Sequence, residues 1–275
     1  MKRLSSPSLR RIYEQTAYMA NRRMRSYSIA VIITDVITAL FILMLGWQAP
    51  VTVLALLPLV PSISIYKIVI AAQISGIARE IKSGEVQLYL AHTLTRVEYL
   101  LSTFLLAGIT PALLLVSTCS VVIAIVAPNL LYTIGEYILY IFVDLLIFSA
   151  IVVLVASHGY EGTTIILGVF LGLFIWIATS ILLFFYTYSG LSYTYSSNVS
   201  PLSPPLLYLV YLSFSICALL SPFTYRVLYI AYTQTYKPSP PPIPPPTPQT
   251  IMLLALLLTI ALLGLALREI KVRDI

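Results

Sequence analysis

The sequence predicts an all-α membrane protein with six transmembrane helices, an N-terminal helix lying in the interface, and a re-entrant helix on the outer side before the last span. Three observations predict this. Hydrophobic residues make up 59% of the 275 and charged residues only 9%, where a soluble domain carries roughly 25% charged. Apolar runs recur at 29–46, 51–77, 99–127, 136–157, 163–187 and 250–267, and a helix needs about 20 such residues to cross a bilayer. Basic residues gather between alternate runs. Backbone groups in lipid must be bonded internally, and the alternation of a barrel strand is missing, so helices are the spanning form.

The chain divides into a cytoplasmic segment, 1–28, and a single transmembrane domain, 29–275. Within residues 8–25, Leu9, Ile12, Tyr13, Ala17, Ala20 and Met24 share one helical stripe, and Arg10, Arg11, Glu14, Gln15, Asn21, Arg22 and Arg25 lie opposite. This suits a helix in the membrane interface, its arginines among anionic lipid headgroups. The plain alternative is a basic flank that only sets orientation. With 28 mostly polar residues before the first apolar run, the start does not read as a signal peptide.

Charges inside spans come next. Asp35 lies about two turns into the first, Lys67 near the middle of the second and Asp144 near the middle of the fourth. Each costs roughly 2.5–3.5 kcal/mol on insertion scales. By depth Lys67 matches Asp144, and by chain neighbourhood it can reach Asp35; an ion pair offsets part of the cost. The functional alternative is a polar lining for a transport path. Pro58 and Pro61 in the second span and Pro111 in the third predict kinks or tilt. Gly168 and Gly172 in the fifth form a GxxxG that lets another helix approach.

Residues 188–249 form an outer region rich in tyrosine and proline. Ten of the 20 tyrosines fall between Tyr186 and Tyr236, and eight prolines between Pro238 and Pro248. Tyrosine favours the interface, where its ring is apolar and its hydroxyl wet. The proline run reads as a stiff polyproline spacer. The run 205–221 is short for a span and is flanked by Pro201, Pro204, Pro205 and Pro222, so it reads as re-entrant or interfacial. Asn198-Val199-Ser200 fits the glycosylation pattern weakly, with Pro201 directly after it.

The net charge of +6 reads as topology and gives no reason to invoke nucleic acid. Lys2, Arg3, Arg10, Arg11, Arg22, Arg23 and Arg25 precede the first span; Arg79, Lys82 and Arg96 lie between the second and third; Arg268, Lys271 and Arg273 follow the last. An even number of crossings puts all of these in the cytoplasm with both termini and leaves only Arg226 and Lys237 outside. The location is therefore a cell membrane, crossed several times.

Catalytic constellations are missing from the sequence. His92 and His158 have no metal-ligand spacing, and no metal site is expected. Cys119 and Cys217 lie in apolar surroundings and read as small buried hydrophobes. No glycine is followed by lysine, which excludes a GxxxxGK[ST] phosphate loop. The chain itself is expected to be no enzyme and to bind no cofactor.

One stretch remains, Ala78 to Leu101, which holds six of the 26 charged residues. Glu80 is followed by Gly84, then by the apolar positions Val86, Leu90, Leu94 and Val97, and then by Thr95, Arg96 and Glu98. This order resembles the cytoplasmic loop between the second and third spans of ABC-2 type transporter permeases, where it forms the coupling helix that touches the ATPase. Glu85 stands where that family has Thr, Thr93 where it has Pro, and Ser102-Thr103 where it has Gly-Lys. Leu220-Ser221-Pro222-Phe223-Thr224-Tyr225 is similar to the family's outer segment before the last span, and the N-terminal stripe and basic-acidic tail resemble its elbow helix and ending.

The resemblance implies the permease subunit of an ATP-driven exporter, with 78–101 as its coupling loop. Glu80, Lys82, Gly84, Glu85, Gln87, Leu90, Arg96 and Glu98 are the residues expected to serve contact with the ATPase. Glu80, Lys82, Glu85, Gln87 and Arg96 are expected to be exposed, with Val86, Leu90 and Leu94 as the anchor. It implies a separate ATPase subunit that carries ATP and Mg, a second permease subunit, identical or related, and a lipid surround. Two other readings stand beside it: a membrane anchor or assembly protein that recruits a cytoplasmic partner, and a secondary transporter, which calls for inverted repeats that the sequence does not display. His158-Gly159-Tyr160-Glu161-Gly162 reads as a plain turn, or as a second, smaller contact with a cytoplasmic partner.

Overall fold

The computed structural model describes residues 14, 32, 33, 36, 37, 40, 59–87, 95–126, 131–195, 204–235 and 246–272. Among these the chain is helical apart from short turns and caps, with no strand. The expected interfacial helix 8–25 and first span 29–46, Asp35 included, lie outside them but for a few helical positions.

Helix α1, Leu59–Ser83, ends at Gly84, whose φ of 78° is the left-handed cap that glycine adopts without a Cβ penalty. Helix α2, Arg96–Phe104, starts from a capping box: Thr95 Oγ1 accepts from Glu98 N at 3.2 Å, and Thr95 N donates to Glu98 Oε2 at 2.8 Å. Such a box satisfies two otherwise orphaned N–H groups. A π turn, Leu105–Ile109, leads into α3, Thr110–Val126. A kink was expected at Pro111, and the π turn explains how the helix continues. Proline offers no N–H to the preceding turn, and Thr110 N–H reaches back to Leu105 O instead.

Helix α4, Leu131–Ser157, touches every other described helix, and Val143 to Ala150 is buried without a break. Helix α5, Glu161–Tyr195, has 35 residues and is about 52 Å long at 1.5 Å per residue, well past the expected 163–187. It packs on α1 through its two glycines: a Cβ on Gly168 would collide with Ala71 Cβ, and one on Gly172 would lie 3.2 Å from Ser64 O. The GxxxG is therefore used within the chain.

Helices α6, Pro204–Leu220, and α7, Pro222–Thr235, meet at Ser221. They turn back on each other. Phe214 and Tyr225 have ring centroids 5.2 Å apart and cluster with Ala218 and Ile251, whereas in one continuous helix eleven residues would separate them by about 16 Å. Helix α8, Pro248–Val272, opens with proline at its first position, where the missing N–H costs nothing.

Three stretches are long and apolar enough to cross a membrane: Arg96–Thr118, Gly135–Ser157 and Pro248–Ile270. Glu161–Ile175 and Tyr211–Leu220 are shorter apolar helices. Large apolar side chains such as Ile166, Phe170, Leu257 and Ile260 face outward from α5 and α8, a surface suited to lipid.

Contacts define two ends of the bundle. At one, the loop end, Arg79 pairs with Glu161, and His158 Nε2 lies 3.7 Å from Glu269 Oε2. At the other, the hairpin end, Arg226 meets Glu136 at 3.1 Å and Tyr225 Oη donates to Pro246 O.

Candidate functional site

Two constellations concentrate polar chemistry in an otherwise apolar bundle. The first is at the loop end. The end of α1 and the start of α2 are joined by a buried bond in which Tyr99 Oη donates to Glu80 Oε2 at 2.7 Å. Val86 is fully buried. Across the gap, Arg79 directs Nε, at 3.1 Å, and Nη2 to the same oxygen, Oε1 of Glu161 at the start of α5. That hydrogen bond holds the Glu161 carboxyl below the ordinary glutamate range, aided by the charges of Arg79 and Lys82 and opposed by desolvation. The guanidinium is correspondingly pushed up by Glu161. Both groups stay ionised at neutral pH.

Beside this pair an open cleft of about 460 Å³ is lined by Lys82, Gly159, Tyr160, Glu161 and Thr163 among others. Gly159, at φ 78°, forms the turn that opens it. Lys82 and Gln87 are exposed, as is Tyr160. An ammonium, a carboxylate, a hydroxyl and a tyrosine ring around one cleft suit the side chains of another protein.

The expected docking residues separate into two groups here. Lys82 and Gln87 face solvent, and Glu85 and Arg96 are half-exposed. Glu80 does not belong among the exposed set: it is 9% exposed and bonded to Tyr99. Glu98 is fully buried and closes the capping box of α2. Glu80 ties the end of α1 to the start of α2, and Glu98 fixes where α2 begins. Gly84 supplies the turn, and Leu90 lies outside the described residues. The partners Arg79, Tyr99 and Glu161 were missed as a set. Thr95-x-x-Glu98 is a readable capping signature that was also missed.

The second constellation is buried at the centre. Lys67 Nζ lies 2.6 Å from Asp144 Oδ1, the pairing that matching depth suggested. The contact falls off the hydrogen-bonding direction, leaving Oδ1 held by charge rather than by a directed bond. Ser221 Oγ donates to Asp144 Oδ2 at 2.8 Å and lies 2.7 Å from Thr224 Oγ1, which must then be the donor to Ser221. Phe148 lies below, its ring centroid 5.8 Å from Lys67 Nζ. Ser221 stands just before α7, so the positive end of that helix also faces the carboxylate.

From Asp144 toward the hairpin end, Tyr140 and Glu136 follow at four-residue steps along the same face of α4. Arg226 lies over the rings of Tyr137 and Tyr140, its Cζ 5.5 and 5.8 Å from their centroids, and reaches Glu136. Ser221 and Thr224 were not among the expected site residues, although Ser-Pro at 221–222 is a readable helix start. Among the described residues no group of three or more His, Cys, Asp or Glu is placed to hold a metal. No family model and no curated protein matches the chain.

Proposed function

We propose that this chain is the permease subunit of an ATP-driven exporter of the ABC-2 type, with a separate ATPase docking on the 78–101 loop. The supporting observation is the way the loop end is tied. Glu80–Tyr99 joins α1 to α2, and Arg79–Glu161 joins α1 to α5. A push on the exposed surface at Lys82 and Gln87 is thereby shared among three helices. The 158–162 turn, lining the same cleft, belongs to the docking surface.

In this reading the chain crosses the cell membrane six times with both termini in the cytoplasm. The segments read as cytoplasmic, 78–101, 158–162 and the start of the tail, meet at one end of the bundle. Glu136, Arg226 and Pro246 meet at the other. The α6–α7 pair is the re-entrant element: its apex, Ser221, reaches Asp144 near the midpoint of the apolar stretch Gly135–Ser157, and both arms return to the outer side. A second permease subunit completes the path, and ATP with Mg resides on the ATPase.

Co-purification of the chain from its own membranes, with ATP hydrolysis assayed in the captured fraction, tests the proposal. Lys82→Glu with Gln87→Ala, both at exposed positions, should weaken capture about tenfold, equivalent to about 1.4 kcal/mol, without loss of folded protein. Undiminished capture removes the loop from the docking surface. A captured partner without ATPase activity makes the chain an anchor or assembly protein instead.

A further inference from the structure

We propose that Asp144, paired with Lys67, is a proton-binding site loaded from the hairpin end through a polar column of Glu136, Arg226 and Tyr140. The inference concerns the centre of the bundle and does not depend on an ATPase. Its sidedness rests on the topology proposed above.

An ion pair with side chains 3% and 0% exposed is a poor choice for stability alone. Apolar residues of similar volume are usually as stabilising, because the pair must first repay the desolvation of both charges. Ionisable residues kept in such a place are functional by default, and proton relays are among their common uses.

The surroundings give this site one polar exit. Toward the hairpin end, the face of α4 carries Tyr140, Tyr137 and Glu136, and Glu136 has a side chain 44% exposed. Tyr140 Oη and Arg226 Nε are buried, and neither has a hydrogen-bonding partner among the described residues. Two buried polar groups of this kind require an acceptor, and water is the ordinary one. The column from Glu136 to within one turn of Asp144 is thus a place for bridging water. Toward the loop end the next layer holds the buried apolar side chains Ile70, Ile74, Ile147, Phe148 and Val152, and the buried hydroxyls of Ser75 and Ser149 there are spent on carbonyls of their own helices.

The charged and titratable groups around Asp144 are few. Lys67 comes from α1; Arg226 and Tyr225 come from α7, Tyr225 being bonded to Pro246; Cys217 stands one turn before the apex on α6. Tyr66, fully buried, directly precedes Lys67 on α1, and among the described residues the apolar lengths of α5 and α8 bring none. A proton from water at the hairpin end adds to an Asp144 oxygen, converting carboxylate to carboxylic acid. Lys67 keeps its own proton, so the site passes from neutral to singly positive. The hydroxyl of Ser221 then bonds a neutral group in place of an anion, which weakens the hold on the hairpin apex. Proton loading and hairpin position are linked at that oxygen.

The test uses the full chain in sealed vesicles of neutral phospholipid, sorted for one orientation. Asp35, Asp144 and Asp274 are the only aspartates, so Asp35→Asn with Asp274→Asn leaves Asp144 as the sole carboxyl labelled by ¹³C-aspartate. Infrared difference spectra should show an isotope-shifted carboxylic acid band growing as the medium is acidified. It should grow when the hairpin side is acidified and lag when only the loop side is. Tyr140→Phe with Glu136→Gln should slow its appearance about tenfold, equivalent to about 1.4 kcal/mol in barrier. A carboxylate that stays ionised throughout overturns the site. A band that follows either side equally, or that the Tyr140→Phe, Glu136→Gln variant leaves as fast, overturns the column.

Discussion

At Lys67 and Asp144, with side chains 3% and 0% exposed, neither charge is solvated by bulk water when its partner is removed. Lys67→Ala therefore strands a carboxylate that keeps only the Ser221 hydroxyl and the start of α7, at a cost of about 3–5 kcal/mol. Lys67→Ala with Asp144→Ala removes both desolvation penalties and should lose less. Unfolding of the two variants in the same bilayer mimetic measures the difference, and equal losses would show that the pairing contributes nothing. The pairing was legible because two opposite charges at equal depth in apolar runs have few other ways to offset their cost. Glu80 was not legible in the same way. A carboxylate in the chain's most charged segment reads as exposed, and only the fold brings Tyr99, nineteen residues on, over it. Glu98 was expected at the contact with the ATPase, and its task in the fold is to cap the helix that follows.

Helix positions were largely legible, and their ends less so. Apolar runs mark α1, α3, α4, α5 and α8, and three of the stretches they mark, Arg96–Thr118, Gly135–Ser157 and Pro248–Ile270, are long and apolar enough to cross a membrane. The ends depend on caps that an apolar count ignores: Gly84, the Thr95–Glu98 box, and Pro248 as a first helical residue. Helix α7 escaped notice altogether, since Arg226, Gln234 and its threonines dilute the apolar signal. Its start was written in Ser221-Pro222. The GxxxG shows how a motif can be read correctly while its partner stays open: Gly168 faces Ala71 on α1. Gly168→Leu should force the two helices apart and cost about 1–3 kcal/mol, as overpacking commonly does. Gly264→Leu makes the control, because a Cβ there meets nothing within 4 Å and the residue is exposed. Thermal unfolding of both variants compares them. A Gly168→Leu protein as stable as Gly264→Leu would mean that α1 and α5 are not in close contact.

Across the whole molecule, α1 joins the two constellations. Arg79 and Lys67 lie on one helix, twelve residues or about 18 Å apart along its axis. A rigid element of that length can carry a displacement at the loop end to the ion pair and on to the apex at Ser221, provided the two ends lie on opposite sides of the membrane. That geometry sets the last prediction. With Cys119 and Cys217 replaced by serine, single cysteines at Ser83, Thr163 and Thr247 report sidedness through an impermeant thiol reagent. Ser83 and Thr163 are exposed at the loop end, and Thr247 is exposed before α8 at the hairpin end. In intact cells Thr247→Cys should react, while Ser83→Cys and Thr163→Cys should react only after the membrane is opened. Reaction of all three in intact cells would place both ends on one side and break the link between docking and the buried pair. Reaction of Ser83→Cys and Thr163→Cys alone would invert the chain and turn the exposed loop away from any cytoplasmic ATPase. The positive-inside pattern favours the first outcome, and the Arg79–Glu161 contact requires that Ser83 and Thr163 behave alike.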